Sequence, residues 1–173
     1  MPQRGVDSRP GRRPRGIEGL RSALLLGAML LAPFAADRAA SAADGNFQRS
    51  TVVIRGAHGR VLFKVRIAAT PAQQERGLMF ETRLPADEGM LFPQPAPRVT
   101  SMWMKNTYIP LDMLFIDEAG RIACLLANAE PQKLDILSCP KPVVAVLEIG
   151  GGEAAEHGIR VGDSVRYRSP AGP

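Results

Sequence analysis

The chain has 173 residues, with 22 basic and 17 acidic side chains and a formal net charge of +5. Seven of the basic and three of the acidic residues precede Ala43, so the rest of the chain has 15 basic and 14 acidic residues and a net charge of +1. The high pI therefore belongs to the N-terminal segment. No basic stripe with interleaved aromatic residues follows it, which excludes a nucleic acid from the partners that we expect.

Residues 1–42 are predicted to form a cleavable signal peptide. Six arginines precede an apolar core at residues 23–32, and the small residues Ala40, Ser41 and Ala42 are typical of a cleavage site. The apolar core is shorter than the ~20 residues of a membrane-spanning helix, so we expect no stable membrane span after cleavage. The sequence therefore predicts an exported protein, either periplasmic or extracellular.

The remaining chain is long enough for one compact domain. We expect a disordered lead-in at residues 43–50, a single β-rich domain at residues 51–169 and a short tail at residues 170–173. The domain begins with two segments of alternating polarity, residues 51–55 and 60–68, which predict a hairpin of half-buried strands.

A short helix is predicted at residues 71–76. Thr70 is a preferred N-cap residue, Pro71 suits the first helical position, and Gly77 ends the segment. Prolines lack the N–H that a strand ladder needs, so the stretch that follows Phe92 is predicted to be extended with interrupted pairing. These prolines are Pro93, Pro95 and Pro97.

The second half of the domain is predicted to consist of short strands and one more helix. The predicted strands span residues 98–105, 113–117, 121–127, 143–149 and 164–168, with a loop at 130–142 and a helix at 153–157. No alternation of strand and helix suggests a βαβ unit. The pattern therefore predicts an α+β domain with mostly antiparallel strands, forming a closed or half-closed β-barrel-like structure with two short helices.

Cys124 and Cys139 are the two cysteines of the chain. In an oxidising compartment two cysteines often pair, so they are a candidate disulfide, and the alternative is one buried apolar cysteine and one loop thiol. Their spacing differs from a CxxC motif, and no cluster of His and Cys indicates a structural zinc site. We therefore expect no metal and no cofactor.

Five blocks of sequence stand out along the domain. They are Arg76 to Met79, Gly89 to Phe92, Trp103 to Thr107 with Ile109 to Asp112, Val146 to Glu148, and Gly158 to Asp163. In this order they resemble the family called domain of unknown function 192, over residues from about 61 to 167. The resemblance implies a small, often exported β-rich protein with no assigned biochemical role. Met102 departs from the family, in which an aromatic residue commonly precedes the tryptophan.

The polar residues around the predicted strand exit at 105–112 are the candidate ligand-binding group. A cation, an amide and a hydroxyl at Lys105, Asn106 and Thr107, with Asp112 nearby, could hold an anionic or hydroxyl-rich molecule such as a sugar or a phosphate ester. Arg76 could join them or complement the helix dipole. The alternative is that Asn106 and Asp112 bind the loop's own backbone.

Glu148 is an acid within an apolar predicted strand, so it needs a partner or a shifted pKa. Lys105 or Arg76 could pair with it, and an unpaired Glu148 could act as a general acid. Met102 and Met104 lie on one face of the predicted strand at 98–105. They are expected to fill the core, and a Cu(I) site that uses their thioethers is a weak alternative.

These residues favour a binding protein for a small polar or anionic ligand or for a segment of an envelope polymer. An alternative is a hydrolase or transferase that uses Glu148 or Asp112 as acid or base, with Lys105 and Asn106 stabilising charge. A third possibility is a purely structural envelope protein. A binding protein is the leading expectation, because no serine lies in a Gly-x-Ser-x-Gly elbow and the two histidines, His58 and His157, fall in a predicted turn and at a predicted helix end.

Overall fold

A computed structural model describes residues 47–168. The predicted signal peptide at residues 1–42, half of the predicted lead-in and the tail at residues 170–173 lie outside this range. The strands are β1 (Gln48–Gly56), β2 (Gly59–Ile67), β3 (Glu88–Arg98), β4 (Ser101–Met102), β5 (Leu111–Ile116), β6 (Ile122–Ala129), β7 (Leu137–Ser138), β8 (Val143–Gly150) and β9 (Ser164–Tyr167), and the helices are α1 (Pro71–Arg76) and α2 (Glu153–Glu156). Within residues 47–168 no helix is long and apolar enough to cross a membrane.

Seven strands form one sheet in the order β6-β5-β8-β3-β2-β1-β9, and β4 pairs with β7 in a separate two-stranded sheet. Every neighbouring pair of the large sheet is antiparallel except β2 and β3, which are parallel. The prediction of a mostly antiparallel α+β domain with two short helices is thus confirmed. The expectation of no βαβ unit is wrong, because α1 connects the parallel strands β2 and β3.

Several strands differ in extent from their predictions, and β7 lies within the predicted loop at residues 130–142. Residues 48–50 were predicted to belong to a disordered lead-in, but they open β1, because β2 is long enough to offer them partners as far as Ile67. The predicted strand at 98–105 shrinks to the two residues of β4. It pairs with only the two residues of β7, and the chain then turns at Asn106, whose φ is 55°.

The outermost strands of the large sheet meet only at one point. Arg121, just before β6, forms an isolated antiparallel bridge with Ser164 of β9. The sheet is therefore not closed by a continuous strand ladder, and the closed-barrel part of the prediction is not confirmed.

Two groups of buried side chains hold the two faces of the sheet. One cluster takes residues from all seven strands, including Phe63, Leu91 and Leu147. The other lies on the opposite face of the central strands β3, β5 and β8. It packs that face against two segments, the one that follows β4 and the one that follows β7. Met104 and Cys139, from these two segments, are both fully buried. Burying both faces explains why β5 is apolar along its length, apart from Asp112.

Cys124 of β6 and Cys139, which follows β7, are joined by a disulfide with their Cα atoms 5.8 Å apart. This bond connects the loop at residues 130–142 to the large sheet. Strand β7 lies in the same loop and pairs with β4, which directly precedes Trp103. The disulfide therefore also helps to fix the position of the segment around Trp103.

Removing this disulfide is expected to lower the free energy of unfolding by about 3 kcal/mol, since the bond closes a loop between residues that are 15 positions apart. Urea unfolding of the double variant Cys124→Ala and Cys139→Ala, with and without reductant, measures the effect. Reductant should destabilise the unchanged protein and leave the variant unaffected. Equal stability of the oxidised and reduced unchanged protein would contradict this account.

Candidate functional site

A cavity of about 90 Å³ lies between α1, the segment at residues 101–107 and strand β8. It is lined by both polar and apolar side chains. These are Gln74, Glu75, Arg76, Gly77, Leu78, Met79, Phe92, Ser101, Met102, Trp103, Lys105, Thr107 and Glu148. The lining residues come from distant parts of the sequence, so only the folded chain creates the site.

Helix α1 places Arg76 at the cavity. The predicted N-cap is confirmed: the Thr70 hydroxyl accepts from the Gln73 N–H at 3.2 Å, and the Gln73 side chain accepts from the Thr70 N–H at 3.1 Å. Gln74 Nε2 donates to the Pro93 carbonyl at 2.8 Å, which joins the helix to β3. Gly77 then ends the helix with a φ of 48°, a conformation that favours glycine.

The segment after β4 presents alternating side chains, as the sequence indicated. Met104 is fully buried in the core, whereas Trp103 is 46% exposed and Lys105 is also exposed. The Lys105 ammonium lies 5.1 Å from the centre of the Trp103 ring, within the range of a cation–π contact. The cavity therefore has an aromatic ring and a cation side by side in its wall.

Glu148 reaches the same cavity from the central strand β8. Its register partners are Met90 on β3 and Met113 on β5, both fully buried, so the carboxyl group lies among apolar neighbours. Burial raises the pKa of Glu148 to about 8. The side chain is thus mostly protonated at neutral pH and can donate a hydrogen bond into the cavity.

Asp112 has a different environment, although it was predicted to belong to the same group. Its carboxylate is fully buried and accepts from the backbone N–H groups of Asn128 at 2.7 Å, Gly152 at 3.0 Å and Ala154 at 2.8 Å. It does not line the cavity. These contacts fix the end of β6 and the first turn of α2 to strand β5.

The structure thus brings together Arg76, Lys105, Thr107 and Glu148 of the predicted ligand-binding group. Asn106 lies beside the cavity lining, and its Nδ2 donates to the sulfur of Met79 at 3.8 Å. The sequence interpretation missed several lining residues, including Ser101, Met79 and Trp103. Strand alternation was a usable signal for Trp103, because it shares a face with Lys105.

The methionines considered for Cu(I) pack in one hydrophobic cluster but differ in burial. Met102 lines the cavity, whereas Met104 is fully buried in the core. Cys124 and Cys139 form the disulfide, so neither offers the thiolate that a copper site would use. Within residues 47–168 no group of three His, Cys, Asp or Glu side chains could hold a metal ion.

Comparison with protein families matches residues 52–167 to domain of unknown function 192 (DUF192), described as an uncharacterized ACR. This range includes α1, the Trp103 segment and the strand of Glu148, and thus every residue that lines the cavity. The chain belongs to the DUF192 family. Comparison with curated proteins finds no match.

Two solved structures resemble this DUF192 protein. A protein of unknown function from Novosphingobium aromaticivorans DSM 12444 is 41% identical, with a TM-score of 0.69, and the match covers 71% of this chain and 88% of that chain. A candidate transcription regulator from Sinorhizobium meliloti 1021 is 37% identical, with a TM-score of 0.68, and the match covers 70% of this chain and 95% of that chain.

Proposed function

We propose that this DUF192 protein binds a small polar or anionic group in the cavity between α1, Trp103 and Glu148. The observation that supports it is the convergence of Lys105, Arg76 and Glu148 on one cavity beside a half-exposed tryptophan. Cationic side chains attract a carboxylate or phosphate, and a protonated Glu148 donates a hydrogen bond to an oxygen of the same group.

The size of the cavity limits the ligand. Pockets that enclose a whole drug-sized molecule have volumes of roughly 300–1,000 Å³, and this cavity has about 90 Å³. It therefore suits a very small molecule or the end group of a larger one. An envelope polymer, as the sequence suggested, would place one terminal or pendant group inside and leave the rest of its chain outside.

Large exposed apolar side chains lie on and beside the segment at residues 101–107, which forms part of the cavity wall. This apolar rim consists of Phe80, Trp103, Tyr108, Leu134 and Ile136. Backbone hydrogen bonds from Phe80 to Asn106, and from Met104 to Lys133, place their three segments side by side. Exposed apolar groups of this kind favour contact with the part of a ligand that stays outside the cavity.

Ligand binding can be followed through Trp103, because it is the single tryptophan of the chain. We expect a panel of small carboxylates, phosphate esters and sugars to contain compounds that change Trp103 fluorescence and raise the melting temperature. Lys105→Ala and Glu148→Leu should each abolish these effects, because the first removes the cation and the second removes the hydrogen-bond donor.

Lys133→Ala is the matched control for this screen, since it removes an exposed lysine that does not line the cavity. Its response to each compound should equal that of the unchanged protein. A compound that stabilises the Lys105→Ala variant as strongly as the unchanged protein would overturn the assignment of this site.

The pKa of Glu148 favours one further candidate, a hydrolase or transferase with Glu148 as general acid. Burial raises that pKa to about 8, so the carboxyl group has a proton to donate at neutral pH. Asp112 is not available as its partner base, because three backbone N–H groups occupy its carboxylate. Turnover of a chromogenic phosphate ester or glycoside that is lost in Glu148→Gln would support catalysis over simple binding.

The proposed location is the periplasm or the exterior of the cell. The arginine-rich leader with its apolar core and small-residue exit supports export, and the Cys124–Cys139 disulfide suits an oxidising compartment. N-terminal sequencing of the exported protein should then begin at Ala43. Recovery of the uncleaved chain from the cytoplasm would contradict export.

A further inference from the structure

A second surface, on strands β1, β2 and β9, concentrates positive charge. On β1 and β2 the residues that alternate with the buried Val52, Ile54, Phe63 and Val65 point to the opposite, exposed side of the sheet. We call this exposed side the basic face; it continues onto β9 and the residue that follows β9, and it has seven cations. They are Arg49, Arg55, Arg60, Lys64, Arg66, Arg166 and Arg168.

The charge of the domain is strongly polarised by this arrangement. Residues 47–168 contain 15 basic and 13 acidic side chains. Two acids meet the basic face: Glu81 pairs with Arg66 at 2.7 Å, and Glu88 is the register partner of Lys64. The face thus has seven cations against two acids, and the other described residues have eight cations against 11 acids. A nearly neutral domain therefore has its excess positive charge on one surface.

Strand pairing does not explain this distribution. Arg49 lies directly opposite Arg66, and Arg55 lies directly opposite Arg60. Like charges in directly opposed positions destabilise an antiparallel pair. The cations are therefore arranged at some cost to the sheet, as expected for a surface that meets an anionic partner.

We propose that the basic face binds an anionic lipid surface. Its cations are spread in two dimensions, over ~20 Å along β1 and ~10 Å across β9, β1 and β2, whereas a linear polyanion would contact a single row. Val53 and Leu62 form an opposed apolar pair within the array, and Leu62 is 41% exposed. Cations that surround an exposed apolar residue suit attachment to the headgroup region of a membrane.

Vesicle co-sedimentation tests this proposal. The protein should sediment with vesicles that contain phosphatidylglycerol, remain in solution with pure phosphatidylcholine vesicles, and detach as salt is raised. Neutralising two cations with Arg49→Gln and Lys64→Gln should weaken binding roughly 30-fold. Each cation near an anionic surface strengthens binding about five- to six-fold, and the two factors multiply.

The matched control is the pair Arg98→Gln and Lys133→Gln, which removes the same charge from outside the basic face and should bind like the unchanged protein. Urea unfolding confirms that both double variants are folded. Equal binding of the two double variants, or no binding of the unchanged protein at low salt, would overturn the proposal. Binding to soluble polyphosphate without binding to the vesicles would overturn it in favour of a polymeric partner.

Discussion

We expect Asp112→Ala to lower the free energy of unfolding by about 4 kcal/mol, since it removes a buried carboxylate that accepts from three backbone N–H groups. The backbone N–H groups of Asn128, Gly152 and Ala154 would lose their acceptor. Because the site is buried, water would not fully replace the lost hydrogen bonds. Urea unfolding at neutral pH measures this change.

Asp117→Ala is the control for this prediction. The Asp117 carboxylate also accepts a backbone N–H, from Arg121 at 2.8 Å, but it does so at an exposed turn. Water can replace that bond, so the expected cost is about 1 kcal/mol. Similar losses in the two variants would show that burial of Asp112 adds nothing to its contribution.

We expect Glu148 to make the protein less stable as the pH rises. Burial raises the pKa of Glu148 from 4.5 to about 8 in the folded protein. Between these values the folded state keeps a proton that the unfolded chain releases, so the free energy of unfolding falls with increasing pH and levels off above pH 8. At low pH the protonated side chain adds no such penalty.

Glu148→Gln removes this dependence while keeping the size of the side chain. The stability of the variant relative to the unchanged protein should rise by about 3 kcal/mol between pH 5 and pH 8. Urea unfolding at several pH values measures the difference, with the exposed Glu118→Gln as control. Parallel pH curves for the unchanged protein and Glu148→Gln would refute the burial of an uncharged Glu148.

The sequence predicted those elements whose interactions involve residues that are close together in the chain. Thr70, Pro71 and Gly77 act through the backbone of a single helical turn, so the sequence was sufficient to place α1. Alternation likewise predicted the β1–β2 hairpin, whose partners lie close in sequence. The parallel pairing of β2 with β3 requires the connection through α1 to bring β3 back alongside β2 in the same direction. No pattern within a single segment predicts this arrangement.

The candidate site was predicted in part, for the same reason. Lys105 and Thr107 belong to one distinctive block, whereas Glu148 joins them only because β8 lies between β3 and β5. Asp112 seemed equivalent to them in sequence, but its partners are 16 to 42 residues away. The basic face was missed because its cations meet only through strand register: five of the seven lie within residues 49–66, and the other two follow at 166 and 168.

The bridge between Arg121 and Ser164 has a consequence for self-association. An uncovered outer strand offers unpaired amides on which another polypeptide can extend the sheet, the first step toward fibrils. Here the N–H groups of Gly162 and Val165 donate to the carbonyls of Ile122 and Gly120, so each margin partly covers the other. Concentrated solutions of the protein should therefore resist growth by strand addition at this junction.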